Sequence, residues 1–285
     1  MKYQVLDSGD FEKLEQIGEY KIIRPSLNSA YKKTKPEIWK DISAHYTKND
    51  KGSGSWKYIK KIPESFEINF DELTAKLKFT PFGHIGFFSE QEENWKLIQK
   101  LGTIKNNFEV MNLFAYSGLS TLAALNASYS VCHVDSSKGM ISWAKENANL
   151  SGLLENKVRW IEDDVLKFLK REVRREKTYK GFILDPPSFG RGAKGEIWKI
   201  ESDLIPLLEE LMKLCDNSPE FVILSCHSSG FSPMTLSRIL ESMIKIEGKH
   251  FYKELYIKEK SGKKLPSGFC AYFLSNSFKT VEVHP

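Results

Sequence analysis

Three acidic residues between positions 135 and 185 follow apolar segments, where they would stand at the ends of strands. Asp135 follows 130–134, Asp164 follows 158–163, and Asp185 follows 180–184. Carboxylates at the carboxyl edge of a parallel sheet can accept hydrogen bonds from a ribose diol or from a base amine. The pattern therefore predicts a ligand site that handles a nucleoside-like group.

An earlier apolar segment, in the stretch EVMNLFAYSGLSTLAAL (109–125), ends on a single glycine, Gly118. A glycine between a strand and a helix lets the backbone approach a ligand, and the helix start can receive an anion. The three-glycine fingerprint that cradles a pyrophosphate is absent. A dinucleotide-dependent oxidoreductase is therefore disfavoured.

Each of these residues also has a simpler interpretation. Asp135 and Asp164 could be helix N-caps, Gly118 only a turn, and Asp-Pro-Pro at 185–187 only a strand end. Acids at the ends of three consecutive strands, after a glycine turn, together favour a site over these separate explanations.

The alternation of strands and helices from residue 108 onward positions these residues. It predicts a doubly wound, mostly parallel α/β sheet, and the last two strands, with no helix between them, predict an antiparallel pair at its edge. The predicted strands are 108–114, 130–135, 158–163, 180–185, 220–226, 250–258 and 268–276. The predicted helices are 118–127, 137–153, 164–177, 198–215 and 232–248.

Residues 1–80 contain short alternating runs separated by Gly, Ser and Pro, which predict a small β-rich N-terminal domain before a second domain at 81–285. The stretch KGSGSW (51–56) predicts a mobile turn.

Composition places the chain among globular proteins. Its 285 residues contain no apolar run near the roughly 20 residues that span a bilayer, and acidic residues occupy the N-terminus where a signal peptide would be apolar. We expect a cytoplasmic protein; the sequence does not indicate its oligomeric state. The four cysteines lack C-x-x-C spacing, which favours reduced core thiols over disulfides or a metal site.

The net charge is +5, and basic clusters at 57–63, 170–177 and 258–264 carry aromatic neighbours. Such clusters are usually solvated faces, but their composition also suits a polyanion such as RNA.

Five motifs together give the chain a family resemblance. It resembles class I S-adenosylmethionine-dependent methyltransferases, and is similar to the bacterial large-subunit ribosomal RNA methyltransferases that include cytosine carbon-5 and guanine nitrogen-7 enzymes. The resemblance covers about residues 78 to 280. The motifs are IGFFSEQEENW (85–95), NLFAYSG (112–118), HVDSSKGMISWAKENANLSGL (133–153), IEDDVLKFL (161–169) and ILDPPSFGRGAKGE (183–196).

The resemblance implies a seven-stranded Rossmann-like fold, S-adenosylmethionine as cofactor and RNA as partner. Asp135, with Ser136, would hold the ribose hydroxyls, Asp164 the adenine amino group, and Val165 would pack on the adenine ring. The other implied cofactor residues are Gly118 at the turn, Asn112, Phe114 and Tyr116 along the methionine part, Phe87, Phe88 and Gln91 closing the pocket, and Asp185. The acceptor base would lie against Asp185, Pro186, Pro187 and Phe189.

Two questions stay open at the level of sequence. Cys226 is either the thiolate nucleophile that cytosine carbon-5 chemistry requires, with His227 lowering its pKa, or a buried strand cysteine. Ser188 separates Asp-Pro-Pro from Phe189, which departs from the motif for exocyclic amines. The competing class is a catalytically inactive methyltransferase-fold module that binds RNA or protein.

Overall fold

The computed structural model describes residues 2–48, 54–192 and 195–282, which form two compact units. The first unit contains the chain up to Glu90 together with Tyr256–Ser267, and the second contains Gln91–Leu255 and the chain from Gly268 onward. The boundary at residue 90 lies beyond the predicted 80, and a short C-terminal segment joins the first unit. As limits of functional domains, 1–80 and 81–285 stay a prediction.

The first unit is β-rich, as predicted. Its main sheet has the order β1-β2-β3-β4-β5, and β6 and β7 form a separate antiparallel pair. The strands are β1 Tyr3–Gly9, β2 Glu12–Ile17, β3 Tyr20–Pro25, β4 Ala44–Lys48, β5 Gly54–Tyr58, β6 Ser65–Phe70 and β7 Leu73–Lys78, with a short 3-10 helix at Pro36–Trp39. Period-two burial is clear in β7, where Leu73, Ala75 and Leu77 are the buried positions. Residues 51–53 of the predicted mobile turn lie outside the described residues.

The second unit alternates helices and strands. Its helices are α1 Glu92–Ile104, α2 Leu119–Asn126, α3 Lys138–Leu150, α4 Val165–Arg174, α5 Ile200–Lys213 and α6 Pro233–Met243. Its strands are β8 Glu109–Leu113, β9 Ser130–Asp135, β10 Val158–Glu162, β11 Gly181–Leu184, β12 Phe189–Arg191, β13 Ile197–Lys199 and β14 Phe221–Cys226. The two last strands, β15 Gly248–Lys258 and β16 Lys264–Ser275, have segments in both units, and short 3-10 helices occur at Ser89–Gln91 and Asn276–Phe278.

The large sheet has the order β10-β9-β8-β11-β14-β16-β15. Strands β10, β9, β8, β11 and β14 pair in parallel, and β14 pairs with β16 antiparallel. This confirms the predicted doubly wound sheet with an antiparallel ending. The chain runs from β8 outward to β9 and β10, then returns to β11 on the other side of β8. Ligands of such sheets bind outside the carboxyl ends of the strands at this switch point.

One part of the second unit differs from the prediction. The helix expected at 198–215 begins only at Ile200, because 189–191 and 197–199 pair as the antiparallel hairpin β12–β13. Three-residue strands are too short to produce a periodic pattern, so the sequence gives no signal for them. Within the described residues, no helix combines the length and the hydropathy that crossing a bilayer requires.

Candidate active site

The turn between β8 and α2 has an unusual backbone. Phe114, Tyr116 and Gly118 have φ values of 56°, 50° and 91°. Left-handed backbone costs a non-glycine residue on the order of 1–3 kcal/mol, and such residues cluster at functional sites. From the sequence, positive φ was expected only at Gly118, because Phe and Tyr rarely adopt this conformation.

Gly118 is required for a second reason. A Cβ atom built there would lie 2.8 Å from the Cβ of Ala144 on α3. The glycine therefore allows α2 to begin close against α3, in addition to leaving the turn open to a ligand. No side chain caps the N-terminus of α2.

Asp135 is held at the end of β9 by the backbone on both sides of it. The Tyr116 N–H donates to its Oδ2 and the Ser137 N–H to its Oδ1, each at 2.9 Å. Ser137, and not Asp135, is the N-cap of α3, so the N-cap interpretation of Asp135 is wrong. Desolvation raises the pKa of Asp135, and the two N–H donors offset this only in part. The contact with Tyr116 ties the carboxylate to the strained turn.

Asp164, in contrast, is a helix cap. Its Oδ1 accepts a 2.9 Å hydrogen bond from the Lys167 N–H, which makes it the N-cap of α4. Val165 beside it is only 4% exposed and belongs to the core with Phe168 and Leu169. A role of Asp164 and Val165 toward adenine stays a prediction based on the resemblance.

Asp185, at the end of β11, has one oxygen that accepts no hydrogen bond among the described residues. Its Oδ2 accepts a 3.3 Å hydrogen bond from the Gln91 side-chain amide. Its Oδ1 is buried without a hydrogen-bond partner among the described residues, and His227 Nε2 lies 3.6 Å away. A buried, unsatisfied carboxylate oxygen is rare in folded proteins and is a common feature of reactive sites. When the His227 imidazole is protonated, it forms an ion pair with this oxygen, which otherwise accepts no hydrogen bond among the described residues.

A buried polar network orients Gln91 behind Asp185. The Asn94 amide donates to Gln91 Oε1 at 2.7 Å, and the Tyr272 hydroxyl donates to Asn94 Oδ1 at 2.6 Å. Ser225 also donates to Gln91 Oε1, at 3.3 Å. Asn94, Ser225 and Tyr272 were not predicted as site residues, since their only signal in the sequence is that polar groups interrupt otherwise apolar segments. The structure gives Gln91 a contact with Asp185 that sequence reasoning did not anticipate.

The Pro186-Pro187-Ser188 segment is fixed by three hydrogen bonds. Trp198 Nε1 donates to the Pro187 carbonyl at 2.7 Å, the Ile200 N–H donates to the Ser188 carbonyl at 3.1 Å, and the Ser228 hydroxyl donates to Ser188 Oγ at 2.7 Å. The Trp198 ring lies 4.8 Å from that of Phe114 and so connects this segment to the turn after β8.

Phe189, on the hairpin that follows, is 52% exposed. Its ring is therefore accessible, as a stacking role requires.

Cys226 does not have the environment of a nucleophile. It is fully buried in the core, and its Sγ accepts a hydrogen bond from the Ser228 N–H. Burial raises the pKa of Cys226, whereas a reactive cysteine needs a lowered one. His227, expected to lower it, lies near Asp185. The structure therefore favours the buried strand cysteine, and all four cysteines are buried and free.

Asn112, expected along the methionine part of the cofactor, is 2% exposed and already bonded. Its amide donates to Thr121 Oγ1 at 2.9 Å, and that hydroxyl lies 2.8 Å from His133 Nδ1. Burial lowers the pKa of His133 to about 3, so this imidazole is neutral. Asn112 is part of a buried chain between β8, α2 and β9.

The remaining predicted cofactor residues are divided between the two units. Tyr116 lies with its ring 6.1 Å from that of Trp143, and Ser136 is half-buried after β9. Phe87 belongs to the first unit, where its ring contacts Tyr3 and Phe70 at 4.6 and 4.9 Å. Phe88 is in the same unit, beside His84. The second unit thus brings together the β8 turn, Asp135, Gln91 and Asp185.

A solved structure shows the family to which this arrangement belongs. The crystal structure of the S-adenosylmethionine-dependent methyltransferase from Agrobacterium tumefaciens matches with a TM-score of 0.89 and 31% sequence identity, over 96% of this chain and 90% of that one. The chain belongs to the S-adenosylmethionine-dependent methyltransferase family. A second structure, of a methyltransferase complexed with SAH, has a TM-score of 0.75 at 17% identity over 95% and 75% of the chains, and so supports the methyltransferase fold alone.

Curated methyltransferases match part of the chain. Ribosomal RNA large subunit methyltransferase K/L of Shewanella frigidimarina is 31% identical over 177 residues, 61% of this chain and 24% of that protein. The protein of the same name from Pseudoalteromonas atlantica is 30% identical over 165 residues, 57% and 22% of the two chains. The chain thus spans about a quarter of the length of these methyltransferases. No family model matches it.

Proposed function

We propose that the protein transfers a methyl group from S-adenosylmethionine to a base of RNA, with ribosomal RNA as the substrate. The observation that carries this proposal is the buried, unsatisfied Oδ1 of Asp185. It lies at the carboxyl end of β11, the strand beside β8 at the switch point of the sheet. A base amine is a donor that fits this acceptor, whose contact within the chain is the 3.6 Å ion-pair contact with His227.

The residues at the β8 turn fit the cofactor. Asp135 presents a carboxylate for a ribose diol, and the turn around Gly118 leaves the backbone open to the amino-acid end. When bound, S-adenosylmethionine supplies a methyl group already activated on a sulfonium. The chain then has to orient the acceptor base within about 3–3.5 Å of that methyl and to exclude water.

Asp185 would orient the base by accepting its amine hydrogen, and Pro186 and Pro187 would form a rigid wall. The exposed ring of Phe189 would stack on the unstacked base. Since Cys226 is buried and its pKa is raised, a covalent route through this cysteine is disfavoured. We therefore propose direct transfer to a base nitrogen, not to cytosine carbon-5.

Ribosomal RNA is proposed as the substrate because the curated relatives are named ribosomal RNA methyltransferases. The positive net charge and the basic clusters with aromatic neighbours support a polyanion partner. The inactive alternative gains no support from these comparisons. We propose a cytoplasmic location as well, because the ribosomes of the curated relatives' bacterial hosts are cytoplasmic.

Calorimetric titration of S-adenosylmethionine into wild type, Asp135→Ala and Glu162→Ala tests the cofactor site. We expect Asp135→Ala to weaken binding at least tenfold, about 1.4 kcal/mol, because the ribose hydroxyls lose their acceptor. Glu162 is exposed at the end of β10 and serves as the matched control, with unchanged affinity. Absence of binding to folded wild type would overturn the proposed activity.

The RNA substrate is tested with ribosomal RNA purified from cells that lack the protein. We expect it to accept a labelled methyl group, and RNA from producing cells to accept none because its site is already modified. Equal labelling of both RNAs, or of neither while cofactor binding is intact, would contradict the ribosomal RNA assignment.

A further inference from the structure

The first unit contains a cavity of about 170 Å³. All residues that line it belong to that unit. They include three cations and three phenylalanines: Lys13, Arg24, Lys48, Phe82, Phe87 and Phe88. Phe87 and Phe88, which the family resemblance assigned to closing the cofactor pocket, line this cavity, and their role toward the cofactor stays a prediction.

The positive charge of the cavity is only partly compensated. Lys13 and Arg24 share one buried carboxylate, Glu15, at 3.4 and 2.5 Å. Lys48 is exposed at the end of β4, and the lining carboxylate is that of Glu90. Among the described residues, three cations and one carboxylate, Glu90, line the cavity, and Glu15 pairs with two of the cations.

His84 lies on the lining of the cavity, close to its cations. His84 is exposed as a residue, yet desolvation, the largest cause, and repulsion from Arg24, Lys48 and Lys13 lower its pKa to about 4. The charged groups that add to the effect of desolvation are all cations. An anion in the cavity would offset this repulsion.

The volume of the cavity and the donors on its lining indicate which anion it can hold. The volume corresponds to about five or six water molecules and is below the roughly 300 Å³ at which pockets enclose a whole small ligand. Arg24 already donates from Nε and Nη2 to Glu15 and from Nη1 to the Gly83 carbonyl. It therefore adds positive charge to the cavity without a free guanidinium edge for a bidentate contact. Lys13 is likewise paired with Glu15, at 3.4 Å, so the exposed Lys48 is the point charge that suits a compact phosphate group.

We propose that this cavity binds a phosphate group of the RNA backbone and thereby anchors the substrate on the first unit. The inference rests on the proposed RNA substrate. Phe82, on the cavity lining, is 76% exposed, and an exposed ring beside a phosphate site suits stacking by the adjoining base. A free phosphate ion would leave this ring without a partner.

NMR titration of the histidine rings with inorganic phosphate tests the anion site in the full chain. We expect phosphate to raise the pKa of His84 toward its ordinary value, since the anion offsets the repulsion of the three cations. His45, which is paired with Glu12 in the same unit, is the internal control and should not shift. A pKa of His84 that phosphate leaves unchanged would overturn the proposal.

The salt dependence of RNA binding separates an RNA phosphate from a free one. For a single-stranded RNA oligonucleotide, Lys48→Gln should reduce the slope of log affinity against log salt by about 0.7, the contribution of one phosphate contact. Lys40→Gln, an exposed lysine of the same unit that is not on the cavity lining, should leave the slope unchanged. If phosphate shifts His84 but Lys48→Gln leaves the slope unchanged, the cavity takes free phosphate and the RNA assignment is wrong.

Calorimetry of S-adenosylmethionine on the same Lys48→Gln protein keeps the two proposals distinct. Intact cofactor binding with a reduced salt slope supports the anchor. A reduced slope in a protein that binds no cofactor would leave the anchor standing and overturn the methyltransferase activity instead.

Discussion

Asp185 and Cys226 both stand at strand ends of the large sheet, but their environments differ in kind. Asp185 has a buried oxygen that accepts no hydrogen bond among the described residues and lies 3.6 Å from His227 Nε2, whereas the Cys226 thiol is enclosed by core side chains. An acceptor without a donor is costly unless a ligand supplies one, and a thiol among apolar groups is stable as it is. The residue that acts on the substrate is therefore expected to be Asp185.

The variants Cys226→Ala and Asp185→Asn should separate these roles. We expect Cys226→Ala to retain methyl transfer and to lower the free energy of unfolding by about 1 kcal/mol, since it loses only packing. Asp185→Asn should reduce the rate at least about 100-fold, because the amide offers the base amine a weaker acceptor. Single-turnover transfer to RNA from deficient cells measures both. A folded Cys226→Ala protein without activity would instead support the thiolate mechanism.

At the scale of elements, the turn between β8 and α2 combines backbone strain with close packing. Phe114 and Tyr116 are held at positive φ, and the Tyr116 N–H is thereby directed at Asp135. The position of the carboxylate thus depends on the conformation of a turn on the neighbouring strand. Strain stored in this turn has to be offset by the packing of α2 against the sheet and α3.

Gly118→Ala and Gly152→Ala form a matched pair that measures this packing. Both glycines have positive φ, 91° and 68°, but a Cβ at Gly152 would meet nothing within 4 Å. We expect Gly152→Ala to destabilise by about 1–2 kcal/mol, the cost of a left-handed alanine. Gly118→Ala should cost about 1–3 kcal/mol more, because its Cβ would overlap Ala144. Urea unfolding gives both values, and equal destabilisation would show that packing on α3 is unimportant.

At the scale of the whole molecule, the first unit carries a buried charge cluster. Glu15 is fully buried between Arg24 and Lys13, and Arg24 also bonds the Gly83 carbonyl. Burial alone would raise the pKa of Glu15, but the two cations lower it to about 2. The cluster couples the stability of the first unit to pH.

The direction of that coupling follows from the lowered pKa. Glu15 contributes about 3 kcal/mol above its unfolded-state pKa of about 4.3, and this contribution is lost as the pH falls toward 2. Hydrogen exchange of the Ile17 and Ile22 amides should therefore accelerate in this window after correction for intrinsic rates.

Glu15→Gln should remove this pH dependence and destabilise the unit by about 3–5 kcal/mol at neutral pH, because Arg24 is left unpaired. The exposed Glu37→Gln control should retain the wild-type profile, and a pH-independent wild type would contradict the lowered pKa.

The sequence by itself determined the alternating elements, the doubly wound sheet, the glycine turn and the strand-end acids that lie near its switch point. These features depend on local periodicity and on which residues end each strand, and both are encoded within a few positions of each other. The structure confirms them because a parallel sheet brings its carboxyl ends to one edge whatever the long-range contacts are.

Only the tertiary structure decided what each candidate residue contacts and how deeply it is buried. The bond from Gln91 to Asp185 joins positions 94 residues apart, and that from Tyr272 to Asn94 joins positions 178 apart. The burial of Cys226, the backbone partners of Asp135 and the cationic cavity likewise depend on segments that meet only after folding. Burial and hydrogen bonding set the pKa of a group and determine which of its donors and acceptors stay available to a ligand. No local pattern specifies contacts across such separations.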